Sequence, residues 1–102
     1  MTGAEREYRE AIKLEPSNAP VYQNLGAVLL EKGDLAESER ALREAVKLEP
    51  DNSSFLVNLA SHVANRGDLA GAERLFREAI KIDPTNASAH IGLTTVLNAK
   101  GD

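Results

Sequence analysis

The segment ERALREAVKLEP, residues 39–50, decides the fold because it recurs on both sides, as EREYREAIKLEP at residues 5–16 and as ERLFREAIKIDP at residues 73–84. Both offsets are 34 residues, and seven of the twelve columns are identical in all three copies. A fixed period of this length marks a stacked repeat architecture, in which each unit buries its apolar face against the next. The whole chain is 102 residues, three times that period.

Each period reads as two helices. Asn18, Asn52 and Asn86 stand just after proline-containing turns, where an N-cap is expected. The apolar residues behind them recur at helical spacing: Tyr22, Leu25, Val28 and Leu29 in one copy, Leu56, Leu59 and Val63 in the next. These first helices are expected to end at Gly33, Gly67 and Gly101, since glycine takes the left-handed conformation without a Cβ clash. Asp34 and Asp68 follow as caps of the second helices. Glu37, three residues after Asp34, suits a capping box and Gly71 does not, so the start of the second copy is predicted to be the weaker. The second helices are expected to bury Leu35, Leu42, Ala45, Val46 and Leu48, with Leu69, Phe76, Ala79, Ile80 and Ile82 as counterparts, before Pro50 and Pro84 stop them. The chain opens inside a second helix, over residues 3–14, and ends at Gly101-Asp102, where another would begin. Leu93, Val96 and Leu97 at one end and parts of Tyr8 and Ile12 at the other are therefore predicted to be partly bare.

Composition narrows the function classes. Apolar residues make up 42% and charged residues 27%, an ordinary globular balance. No apolar run approaches the roughly 18 residues of a membrane helix, and Met1-Thr2-Gly3-Ala4-Glu5 does not open a secretory signal. Cysteine is absent, which excludes disulfides and thiolate metal sites and is compatible with a reducing compartment; a cytoplasmic location is the expectation. Twelve basic against sixteen acidic side chains leave a net charge of -4, which repels phosphate backbones and anionic lipid, so neither nucleic acid nor membrane is an expected partner.

The histidines, His62 and His90, share repeat columns with Val28 and Val96 and with Tyr22 and Leu56, and are read as fillers of semi-buried packing slots. Neither has companions at metal-ligand spacing. The glycines are explained by helix packing and helix ends, not by a phosphate-binding loop. No catalytic residue, metal or cofactor is expected, and the chain is read as a non-enzyme. Glu5 with Arg9, Glu39 with Arg43 and Glu73 with Arg77 form pairs four apart, read as a solvated outer face. Tyr8, Leu42 and Phe76 occupy one column and are read as core, not as a base-stacking platform.

The pattern resembles the tetratricopeptide repeat, a 34-residue helix-turn-helix unit. The matching residues are Leu25-Gly26, Leu29, Gly33-Asp34, Leu42, Ala45 and Pro50 in one unit, and Leu59-Ala60, Val63, Gly67-Asp68, Ala72, Phe76, Ala79 and Pro84 in the next. It departs in that the family's small residue is Ser38 in one copy, its bulky aromatic becomes Leu56 and then His90, and its glycine becomes Ala60 and Thr94. The resemblance implies an all-α fold, a right-handed α-solenoid of antiparallel helix pairs, with about six helices sharing one continuous apolar spine. The expected layout is a single solenoid domain over 1–102: a half repeat at 1–16, repeats at 17–50 and 51–84, and a half repeat at 85–102. Pentatricopeptide repeats, which read RNA, have a similar length, but this chain has neither their basic balance nor their stacking residues.

In such a solenoid the first helices line the concave side. The residues that point away from the core columns are Gln23, Asn24, Ala27, Leu30 and Glu31; then Ser54, Val57, Asn58, Ser61 and Asn65; then Ser88, Ile91, Thr95 and Asn98. Asn24 and Asn58 share a column, each before leucine, and Gly92 stands third. An asparagine amide can match the backbone of an extended peptide; it can equally bridge neighbouring units or hold water. Asn24-Leu25-Gly26 is similar to the asparagine ladder in the repeat array of O-linked N-acetylglucosamine transferases, which holds peptide backbones. Gln23, Asn24, Ala27, Leu30, Val57, Asn58, Ser61, Asn65, Ile91, Thr95 and Asn98 are therefore the candidate peptide-binding residues. The family's clamp for acidic chaperone tails needs lysine and arginine on this face, and there is none here. The expected function is a protein-interaction scaffold binding an extended peptide or partner segment. The alternatives are a segment that self-associates head to tail through its terminal helices, and a docking arm of a larger enzyme.

Overall fold

The computed structural model describes residues 3–101, and among them the chain is all helix and turn: α1 (Gly3–Leu14), α2 (Ala19–Lys32), α3 (Leu35–Leu48), α4 (Ser53–Asn65), α5 (Leu69–Ile82) and α6 (Ala87–Lys100). Met1, Thr2 and Asp102 lie outside the described residues, and with them the expectation that Asp102 opens a further helix. The helices stop where the sequence punctuates them. Gly33, Gly67 and Gly101 have φ of 89°, 98° and 86°, the left-handed region in which a Cβ would clash. At the first two, the amides of Asp34 and Asp68 reach back to the carbonyls of Leu29 and Val63 at 2.9 and 3.0 Å, closing the helix ends.

The starts differ from expectation. Asn52 and Asn86 cap α4 and α6 by accepting the amides of Phe55 and Ala89, each at 3.1 Å, whereas Asn18 makes no such bond at α2. Of the two aspartates, Asp68 caps α5 by accepting the Gly71 amide at 2.8 Å, and Asp34 makes no side-chain cap bond at all. The predicted order of strength is thus reversed. The carboxylates meant for a capping box on α3 are drawn elsewhere, Glu37 to Arg9 and Asp34 to Lys32.

Two compact units divide the chain, residues 1–49 with α1 to α3 and residues 50–102 with α4 to α6. In the first, α2 packs against both α1 and α3. Leu25, Leu29 and Ala41 form a buried cluster against which Tyr8 and Ile12 lie half-covered. Gly26 allows the close approach of α3: a Cβ there would fall 2.7 Å from Leu42 Cδ2. The Ser38 hydroxyl, fully buried, donates to the Gly26 carbonyl at 2.7 Å, so serine as the small residue of this column supplies an interhelical hydrogen bond.

In the second unit, Ala60 and Ala72 occupy the matching columns and are fully buried, and α5 packs against α4 and α6. Phe76 is buried, and a Cβ on Gly92 would collide with its ring. Asn86 Nδ2 donates to Ser53 Oγ at 2.6 Å, and Ser53 in turn donates to the Ala79 carbonyl at 3.3 Å, tying the α5–α6 turn to α4 and α5.

Several burial expectations need correction. Leu35, at the first position of α3, is exposed, because that position lies over the turn and not over the facing helix. Val96 is buried; Leu93 and Leu97 beside it are half-buried. His62 is buried as a packing residue, but His90 is exposed and its Nε2 lies 2.8 Å from the Pro84 carbonyl. In the same column, Tyr22 donates its hydroxyl to the Pro16 carbonyl at 2.9 Å, so the shared role is to tie the helix to the preceding turn.

The pairs four apart all form, at 3.0, 2.9 and 3.1 Å. Glu5, however, is only 2% exposed and does not belong to a solvated face. Its carboxylate also accepts Lys32 Nζ from α2 at 3.0 Å, and Glu73 likewise accepts Lys100 Nζ from α6 at 2.6 Å. Each is a clamp between a second helix and the first helix that follows it.

Candidate functional site

The exposed faces of the first helices follow from helical spacing. On α4, Asn58, Ser61 and Asn65 lie at i, i+3 and i+7, a single stripe, and all three are exposed. On α6, Ile91, Thr95 and Asn98 make an equivalent stripe at i, i+4 and i+7, again exposed, with Ile91 at 67%. On α2, Asn24, Ala27 and Leu30 are exposed and Gln23 is half-buried, its Oε1 enclosed without a partner. Val57 departs from this set: it belongs to the buried core and presents no side chain to a ligand. Asn24, Ala27 and Leu30 are thus exposed in the first unit, and Asn58, Ser61, Asn65, Ile91, Thr95 and Asn98 in the second.

The chemistry of the stripes is neutral. Asn24 and Asn58 make no side-chain hydrogen bond among the described residues, so both amides keep their full donor and acceptor capacity. Thr95 is different: its hydroxyl donates to the Ile91 carbonyl at 3.0 Å, one turn back, and keeps only acceptor capacity. Gly92 cannot carry a third asparagine, because Phe76 fills the space a side chain would need. The basic residues of α2 and α6, Lys32 and Lys100, are held by Glu5 and Glu73. These contacts set the direction of every shift in the clamps. Lys32 first and Arg9 second hold Glu5 below the usual carboxylate range, and Lys100 with Arg77 does the same to Glu73. Lys32 and Arg9 are raised in turn, chiefly by their hydrogen bonds to Glu5 and to Glu37.

Sequence reasoning missed these clamps and the cleft that lies beside one of them. In the unit of residues 1–49, a cleft of about 420 Å³ opens between α1 and α3 with α2 as its floor. The signal for the clamps was present: Glu5 to Lys32 and Glu73 to Lys100 are the same 27-residue offset in the same repeat columns. Among the described residues no group of three or more metal-ligating side chains comes together, and no helix is long and apolar enough to cross a membrane.

Paired antiparallel helices of this period, with small residues at the crossing and glycine at the helix ends, define the class of helical-hairpin repeat proteins. Two tetratricopeptide repeat profiles match, one over residues 24–87 and the other over 7–40, and the chain belongs to the tetratricopeptide repeat family. No curated protein sequence matches it. Among solved structures, it is similar to the first repeat domain of Spaghetti (RPAP3) bound to an HSP90 peptide, with TM-score 0.85 and 17% identity over 93% of this chain and 75% of that one. The repeat domain of Arabidopsis OM64 superimposes with TM-score 0.85 and 24% identity over 93% and 78% of the two chains. Thermobaculum terrenum O-GlcNAc transferase gives 0.83 and 27% identity over 91% of this chain and 18% of that enzyme.

Proposed function

We propose that the chain is a protein-interaction module that takes an extended segment of a partner protein on the exposed faces of its first helices. The observation that carries this reading is the state of Asn24 and Asn58. Both are exposed, both stand in one repeat column, and neither amide is used by the fold. An amide with one acceptor and two donors matches a peptide unit whatever its side chain, so these residues would hold a main chain and their neighbours would select side chains. With Lys32 and Lys100 committed to the clamps, these faces offer no free cation for an acidic tail among the described residues. The segment taken is therefore neutral, with short polar and aliphatic side chains.

Magnitude limits what two amides achieve. At about 0.5–1.5 kcal/mol net per hydrogen bond, two to four bonds give a few kcal/mol before ordering costs. Apolar contact with Leu30 and Ile91, the exposed aliphatics on these faces, has to supply the remainder. A peptide-library screen identifies the ligand, and the joint substitution Asn24→Ala with Asn58→Ala tests the mechanism. Affinity is expected to fall about ten- to a hundredfold, at ~1.4 kcal/mol per decade, with the helical signal unchanged because both side chains are exposed. Undiminished affinity for a ligand mapped to these faces would remove the reading.

A further inference from the structure

Along one line, α6 is open where its counterparts are closed. On α4, Leu56, Ala60 and Val63 stand at i, i+4 and i+7 and are buried, and α5 packs against that helix. Their counterparts one period later are His90 and Thr94, which are exposed, and Leu97, which is half-buried. The converse opening lies on α1. Ser38, Leu42 and Ala45 on α3 are buried, as are Ala72, Phe76 and Ala79 on α5, whereas Ala4 in the same columns of α1 is exposed and Tyr8 and Ala11 are half-buried. Inside the chain these two sets of columns meet. Ser38 Oγ donates to the Gly26 carbonyl at 2.7 Å, and a Cβ on Gly26 would fall 2.7 Å from Leu42 Cδ2. Gly26 shares its column with Ala60 and Thr94.

We propose that the two open lines meet between molecules, with α1 of one copy lying on α6 of another as α3 lies on α2. The repeat itself identifies the occupant. The columns open on α6 are those that receive ERALREAVKLEP on α2 and ERLFREAIKIDP on α4, and EREYREAIKLEP of α1 keeps seven of those twelve columns with its own matching line uncovered. No carboxylate, lysine or arginine stands on either line, so closing them strands no charge away from water. Thr94 sets the strength of the joint. It is bulkier than Gly26 or Ala60, which keeps the incoming helix further out and makes the contact weaker than its equivalents within the chain. The net charge of -4 on each copy adds a repulsion that salt screens. Asn24 and Asn58 lie outside both lines, so the proposal does not depend on the asparagine faces.

Analytical ultracentrifugation of the chain from micromolar to millimolar concentration is expected to show a mass that rises with concentration, more steeply at higher salt. With isotopically labelled protein, the resonances that move over this range should be those of the two lines, including Ala4 and Ala11 on α1 and Thr94 and Leu97 on α6. Thr94→Ala should tighten association about tenfold by letting the helices approach. Two further variants each block one line, Thr94→Arg on α6 and Ala4→Glu on α1. Both positions are exposed, and a glutamate in the first turn suits the helix N-terminus, so melting curves should stay near the parent's. Neither variant should associate alone, whereas an equimolar mixture should form a dimer, because each supplies the face the other has lost. A chain that stays monomeric at millimolar concentration, concentration-dependent shifts confined to other helices, or a mixture that stays monomeric would overturn the proposal. So would Ala4→Glu that associates as well as the parent, since α6 would then pair with α6.

Discussion

Asp68 accepts the Gly71 amide while Asp34, its counterpart, accepts none and pairs with Lys32, and Glu37, which stands where Gly71 does, pairs with Arg9. A Cβ at Gly71 would run into the Asp68 carboxylate where it now sits, so a side chain there displaces this cap over the first turn of α5. Two effects of similar size then oppose each other in Gly71→Ala. Helix propensity gains about 1 kcal/mol, and displacing the cap costs about the same. The single substitution is expected to leave stability nearly unchanged. In the Asp68→Ala background the cap is already lost, so the same change should stabilise by about 1 kcal/mol. Urea unfolding of the four proteins measures the coupling, and an equal effect in both backgrounds would mean that glycine and cap are independent.

At the scale of the helix, α6 presents Gly92 where α2 and α4 present asparagine, and the reason is its packing against α5. The buried Phe76 ring occupies the place of a side chain at that position. Gly92→Asn would complete the asparagine column on paper. It is expected instead to destabilise the protein by about 1–3 kcal/mol through overpacking, lowering the melting temperature without tightening any ligand. A stable variant with improved affinity would show that the ring can move aside. The same contrast explains what was legible in the sequence. Helix ends were, because glycine, proline and asparagine act on the backbone next to them; α1 and the three glycine stops fall where punctuation places them. The exposure of Leu35 and the burial of Val57 were not, because helical spacing fixes a face but not what lies opposite it. The cap on α3 was misjudged for a related reason: Glu37 and Asp34 had competing partners on other helices, Arg9 and Lys32. Of the candidate site, the exposed asparagines were readable from the repeat columns, whereas the cleft depends on a gap between α1 and α3 that no residue type announces.

Across the molecule, Glu5 in the first unit and Glu73 in the second are each held by two cations, and Asp83 is held low by the hydroxyl and then the amide of Thr85. All three groups bind protons less readily folded than unfolded. Their contribution is therefore complete above the ordinary carboxylate range, and it drains away as pH falls through the lowered values of the folded state. Unfolding free energy should be nearly flat around neutrality and drop in acid. The net charge of -4 sets a background, since protonating other carboxylates relieves repulsion and works in the opposite direction. The clamps are isolated by comparison with a variant carrying Glu5→Gln and Glu73→Gln. It should be less stable at neutral pH, its pH dependence should be shallower, and the two curves should converge in acid, where the parent's carboxylates are protonated too. Raising salt should narrow the gap at neutral pH mostly through Glu73, which is the less enclosed of the two. Parallel curves, displaced by a constant amount from neutrality into acid, would mean that the two glutamates stabilise by shape alone and that the cations around them contribute nothing.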